Sequence, residues 1–142
     1  MINKNKGFSL LEVLVTTFVF SFAMLSLALM QLNGMRTGQS ANLQSIANLQ
    51  CMDILEKMRA NRADVMAGNY NITRSASPIG DAIAASELTT WKNKLATLLP
   101  SGEGSIQCSA TAKCNIQIFW SPIHQDLNVE MPDSTFAIVS QL

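Results

Sequence analysis

Between Phe8 and Leu32 the sequence carries one ionisable side chain, Glu12, in a run that is otherwise apolar or uncharged. A carboxylate inside such a segment costs about 2.5–3.5 kcal/mol on membrane-insertion scales, so it needs a reason to be there. Three cysteines form the second chemical group. Cys108 and Cys114 flank Ser109-Ala110-Thr111-Ala112-Lys113, a natural hairpin loop. In an oxidising compartment that pair is expected as a disulfide. A zinc site is the competing reading, but His124 is the only histidine and no C-x-x-C pair exists. Cys51 falls in register with Leu43, Ala47, Ile54 and Met58 on one helical face, where a thiol is expected buried and inert. His124 with Asp126 and Ser121 is the nearest approach to a nucleophile, base and acid, yet all three fall in a loop without a nucleophile elbow. Asp53 and Glu56 read as solvated helix carboxylates, and no phosphate-binding or calcium-binding loop occurs. These residues predict a protein that is not an enzyme and that uses no metal or cofactor.

Glu12 is positioned by the apolar run around it. About 20 apolar residues as a helix match the thickness of a bilayer core. A cleaved secretory signal would have an apolar stretch of about 7–15 residues followed by a small-residue cleavage site, and neither is found here. A plain signal anchor fits the length and the Lys4/Lys6 flank but gives Glu12 no purpose. A buried core helix would show a polar face, whereas Val13 to Leu29 is interrupted only by Thr16, Thr17, Ser21 and Ser26, which can bond back to helix carbonyls.

The whole chain has 142 residues with ten acids and ten bases, room for one small domain beyond the apolar helix. Removing Lys4 and Lys6 with a leader would leave eight bases against ten acids. The bases are scattered and aromatics few, so no nucleic-acid partner is expected. The helix is expected to continue through Met35–Asn61, which lacks proline and repeats apolar residues at helical spacing, with Asp53 and Lys57 as an i,i+4 pair. Gly34 and Gly38 are its weak points. After the breaker cluster Arg74–Gly80, Asp81–Leu99 reads as a second helix with Leu88, Trp91, Leu95, Leu98 and Leu99 inward and Trp91 as core anchor. Ser105–Ser109, Asn115–Trp120 and Ser134–Ser140 read as strands, the second with Ile116, Ile118 and Trp120 on one face. Short links favour an antiparallel sheet whose apolar face covers the long helix.

A basic leader followed by Gly7-Phe8-Ser9-Leu10-Leu11-Glu12 and an apolar helix resembles the class III signal of type IV prepilins and pseudopilins. The segment Asp53–Arg62 is similar to the helix end of PilV-type pilus modification proteins, a minor-pilin subfamily, as are Tyr70, Trp91, the Leu99-Pro100-Ser101-Gly102 turn and the strand ending at Trp120. Major pilins often have a proline where this chain has Leu29. The resemblance implies an α+β pilin-like fold: a leader over 1–7, an assembly helix over 8–32, an amphipathic half over 33–66 and a globular head over 67–142. It implies cleavage between Gly7 and Phe8 by a prepilin peptidase and N-methylation of Phe8. Glu12 would then meet the cationic amine of Phe8, from a neighbouring subunit or its own. Expected partners are other minor and major pilins and the inner-membrane assembly platform. The expected location is the inner membrane, with a periplasmic C-terminal domain, and after assembly the pilus. A minor pseudopilin of type II secretion shares this N-terminal logic. A membrane-anchored periplasmic binding module is the alternative from another class; it predicts an intact Met1 and no need for Glu12.

Overall fold

The computed structural model describes residues 9–79, 82–109, 111–122 and 133–141. Helix α1 (Leu10–Ala60) is followed by a short α2 (Arg62–Met66), α3 (Ile83–Leu98) and strands β1 (Glu103–Cys108), β2 (Lys113–Trp120) and β3 (Ser134–Gln141). The architecture is α+β, a long N-terminal helix and a small antiparallel meander in the order β1-β2-β3. Backbone packing divides the chain after Gly38 into two compact units.

In the first unit α1 is apolar all round from Val13 to Met30 apart from four hydroxyls. Its large side chains from Leu10 to Leu32 are all at least half exposed or nearly so, Val15 the least at 49%. It is the one helix among the described residues long and apolar enough to cross a membrane, judged by length and composition.

In the second unit α1 turns amphipathic and carries one side of a core. Leu43, Ala47, Cys51, Ile54 and Met58 are buried, as their spacing predicts, joined by Leu55 and by Gln50. The helix ends one residue earlier than the pattern suggests, at Ala60. Asn61 leaves helical geometry (φ −118°, ψ 50°), and its side-chain amide donates to the Asp64 carboxylate at 2.6 Å, so 62–66 forms a separate turn. α3 buries Ala84, Ala85, Leu88, Trp91 and Leu95. Leu98, expected inward, is 46% exposed. The buried face of α3 ends at Leu95, Leu99 is buried just beyond the helix in extended geometry, and Leu98 falls at the margin beside Lys94 in a shallow groove with Gln50.

Register makes the sheet one-sided. Gly104 lies opposite Ile118, Ile106 opposite Ile116, and Ile116 and Ile118 opposite Ile138 and Phe136. Cross-strand partners share a face, so this row forms the core side. The first strand begins earlier than its apolar residues suggest, at Glu103, because Gly104 has no side chain to reveal the alternation. Gly104 is there for a close approach: a Cβ at that position would collide with the Trp91 indole and Leu95. Trp91 is fully buried over β1, and its Nε1–H donates to the Gln50 carbonyl of α1 at 3.1 Å. One side chain thus joins α3 to both the sheet and α1.

Gly104→Val should destabilise the head by about 1–3 kcal/mol through overpacking, and Trp91→Ala by about 3–5 kcal/mol through the cavity it leaves. Denaturant midpoints of the full-length protein in detergent, followed by near-ultraviolet circular dichroism, check this. A wild-type midpoint for Gly104→Val would mean the indole does not sit on β1.

Candidate assembly site

Glu12 lies in the first turn of α1. The Ser9 carbonyl accepts the amides of Glu12 (2.9 Å) and Val13 (3.2 Å), which opens the described helix. A carboxylate there gains about 0.3–1 kcal/mol from the positive end of the helix dipole. That offsets less than half of an insertion cost of about 2.5–3.5 kcal/mol.

The hydroxyls that follow are satisfied within the helix. Thr16 donates to the Val13 carbonyl at 2.9 Å, Thr17 to those of Val13 and Leu14 at 3.0 Å each, Ser21 to Thr17 at 2.8 Å and Ser26 to Phe22 at 3.0 Å. From Val13 to Met30 there are no other polar side chains, so this stretch shows its surroundings only hydrocarbon and bonded hydroxyls. Phe18 and Phe22 pack edge to face, ring centres 4.9 Å apart. Among the described residues no donor reaches the Glu12 carboxylate. Gly7, Phe8, Lys4 and Lys6 lie outside the described residues, as do His124 and Asp126. Ser121 is described, and its amide is bonded to the Pro100 carbonyl.

In the head, Cys108 and Cys114 are Cα partners across β1 and β2 and are joined as a disulfide. The hairpin closes through Ser109 N donating to the Lys113 carbonyl at 2.9 Å, with Ala112 in the left-handed region at φ 56°. A bridge over so short a loop contributes about 2 kcal/mol by constraining the unfolded chain. Among the described residues, no three His, Cys, Asp or Glu side chains gather as a metal would need. Cys51 is free and buried, and burial pushes its thiol up to about 11, so it stays protonated at neutral pH. Asp53 carries more than its i,i+4 partner. Lys57 Nζ stands 3.4 Å away and Lys94 Nζ of α3 3.1 Å. Burial raises the Asp53 carboxyl, but the two lysines outweigh it and hold the group below its ordinary value. Glu56 is paired to Arg59 at 2.6 Å, and Arg62 is exposed.

The polar junction that fastens the connector is not visible in the sequence. The Arg74 guanidinium bridges Glu103 of β1 and Asp133 before β3, and lies 4.7 Å from the centre of the Phe119 ring. Lys92 of α3 donates to the carbonyls of Thr73, Arg74 and Ala76. Asn71 Oδ1 accepts the Cys108 amide at 2.7 Å. Tyr70 is fully buried and donates to Glu87; burial first, and that bond second, push its hydroxyl up to about 12. Linear spacing gives no hint that residue 74 meets residues 103 and 133.

A family model described as the prokaryotic N-terminal methylation motif matches residues 2–28. No curated protein and no solved structure matches the chain. The motif supports a protein of the type IV pilin or pseudopilin class, whose members are typically structural rather than catalytic. It implies processing by a prepilin peptidase and assembly with other pilins. Together with the apolar helix it supports membrane anchoring and incorporation into a pilus.

Alkylation of the denatured, unreduced protein should label Cys51 alone, read by peptide mass. In the native protein at pH 8, Cys51 should label at least a hundredfold more slowly than a peptide thiol, because the group is both covered and protonated. Labelling of all three cysteines without reductant would refute the bridge.

Proposed function

We propose that this chain is a minor type IV pilin, a low-abundance structural subunit that helps prime pilus assembly at the inner membrane. One observation supports it above the others: a single carboxylate heads an apolar helical run whose four hydroxyl residues, Thr16, Thr17, Ser21 and Ser26, are all internally bonded. A plain anchor has no use for that group, since removing it would make insertion easier. In this reading the peptidase cuts between Gly7 and Phe8, and the new N-methylated amine of Phe8 becomes the cationic partner of Glu12 as helices pack. Opposite charges a few ångströms apart in a medium poor in water attract strongly, so the contact largely offsets the insertion cost. The head lies on the periplasmic side and meets other minor and major pilins, while the inner-membrane platform drives assembly. The similarity of Asp53–Arg62 to PilV-type proteins favours the pilus over the secretion pseudopilus.

Deletion should abolish twitching motility or reduce it severely while leaving exoprotein release at wild-type level. The opposite pattern would assign the chain to a type II secretion pseudopilus.

Glu12→Leu separates assembly from anchoring. The variant should insert and be processed normally, its N-terminal peptide having the mass of one that begins at N-methylated Phe8. It should accumulate in the inner membrane and be depleted at least tenfold from sheared pili. Wild-type incorporation of the processed variant would remove Glu12 from the assembly contact and return the segment to a plain anchor.

A further inference from the structure

α1 contains two glycines, Gly34 and Gly38, four residues apart. A glycine inside a helix is usually explained by a neighbouring atom standing where a side chain would be, as the indole does at Gly104. Neither position has that explanation. A Cβ on Gly34 or on Gly38 would meet nothing within 4 Å among the described residues. Both sites therefore hold a residue that weakens a helix interior, second only to proline in doing so, with no close contact in return. Between them Thr37 donates its hydroxyl to the Asn33 carbonyl at 3.0 Å, a back-bond of the kind that loosens and bends helices.

The surroundings leave this turn without other support. From Asn33 to Asn42 no residue is buried, and burial on α1 begins at Leu43. The apolar run before it ends at Leu32, and Arg36 is the first charged side chain after Glu12. Backbone groups up to Leu32 that opened in hydrocarbon would be left without partners, which holds that part of the helix closed. Tertiary packing does the same from Leu43 onward. Asn33–Asn42 has neither restraint, and water can take up any amide or carbonyl released there.

We infer that Gly34–Gly38 is a joint built into α1, a turn that opens locally while the helix on either side stays formed. Each glycine raises the opening equilibrium about fivefold over alanine, and the pair about 25-fold. Such a joint needs nothing from the pilus reading and would operate in any membrane-anchored protein built on this helix.

Amide hydrogen exchange of the full-length protein in nanodiscs tests it, comparing wild type with Gly34→Ala, Gly38→Ala and the double variant. Protection factors, which correct for intrinsic rates, should be lowest in α1 over residues 35–42. They should rise about fivefold in each single variant and about 25-fold in the double variant. Open space around both positions means that alanine introduces no clash, and unchanged protection over residues 47–58 reports that the head is intact. Wild-type protection over 35–42 equal to that over 47–58 would overturn the joint. So would a double variant whose protection over 35–42 stays at the wild-type level.

Discussion

An α-helix satisfies its own backbone but cannot cover its own side chains, and the first unit of this protein is such a helix. Fifteen large apolar side chains between Leu10 and Leu32 remain substantially exposed. Taking the rest of their surface out of water is worth on the order of 20 kcal/mol, at about 1.5–3 kcal/mol for each fully buried side chain. That exceeds the about 5–15 kcal/mol by which a whole domain is held folded. It also exceeds several times over the about 2.5–3.5 kcal/mol that Glu12 costs in hydrocarbon. The helix therefore enters a bilayer or a bundle of similar helices with its carboxylate in place.

The second unit solves the same problem with its own residues. Apolar positions on α1 recur at three- and four-residue spacing from Leu43 to Met58, and α3 and the sheet cover them. The core is modest and poor in aromatics, so single contacts matter. Trp91 lies on the glycine gap in β1 and reaches the α1 backbone, while the Cys108–Cys114 bridge pins the hairpin that carries Ile106 and Ile116. Arg74 and Lys92 then fix the irregular connector by ion pairs and carbonyl contacts, where no regular hydrogen-bond ladder exists to do so.

Features that depend on local pattern were legible in the sequence. The apolar run, the α1 stripe through Cys51, the alternation of Ile116, Ile118 and Trp120 and the cysteine spacing each report a periodicity or a loop length, and the elements follow from them. Leu98 went the other way. Helical spacing gives the angle of a residue around an axis, but the width of the buried arc depends on what α3 packs against. The helix break at Asn61 turns on a side-chain bond to Asp64 that competes with helical geometry, a local choice invisible to hydrophobic period. Arg74 escaped altogether, because its partners are 29 and 59 residues away and pairing at that range is a product of the fold. For the processing junction, sequence stands alone: Gly7 and Phe8 are outside the described residues, and the methylation motif over 2–28 supports the class without choosing between pilus and pseudopilus.

Two carboxylates on α1 show why position decides what a charge can do. Asp53 has two lysines within 3.4 Å and is a third exposed, so water screens the pairs and each contributes little to stability, about 0–1 kcal/mol. Glu12 has no donor among the described residues, and its surroundings, once the helix is embedded, screen almost nothing. The same chemical group is then nearly indifferent in the head and costly in the membrane half. Under the assembly reading, a second subunit's amine relieves that cost and makes association favourable. In that reading this is how one residue can favour stacking of the apolar helices in register: displacement of a neighbour by a single helical turn, about 5.4 Å, would separate amine and carboxylate while leaving the surrounding hydrocarbon contacts almost unchanged.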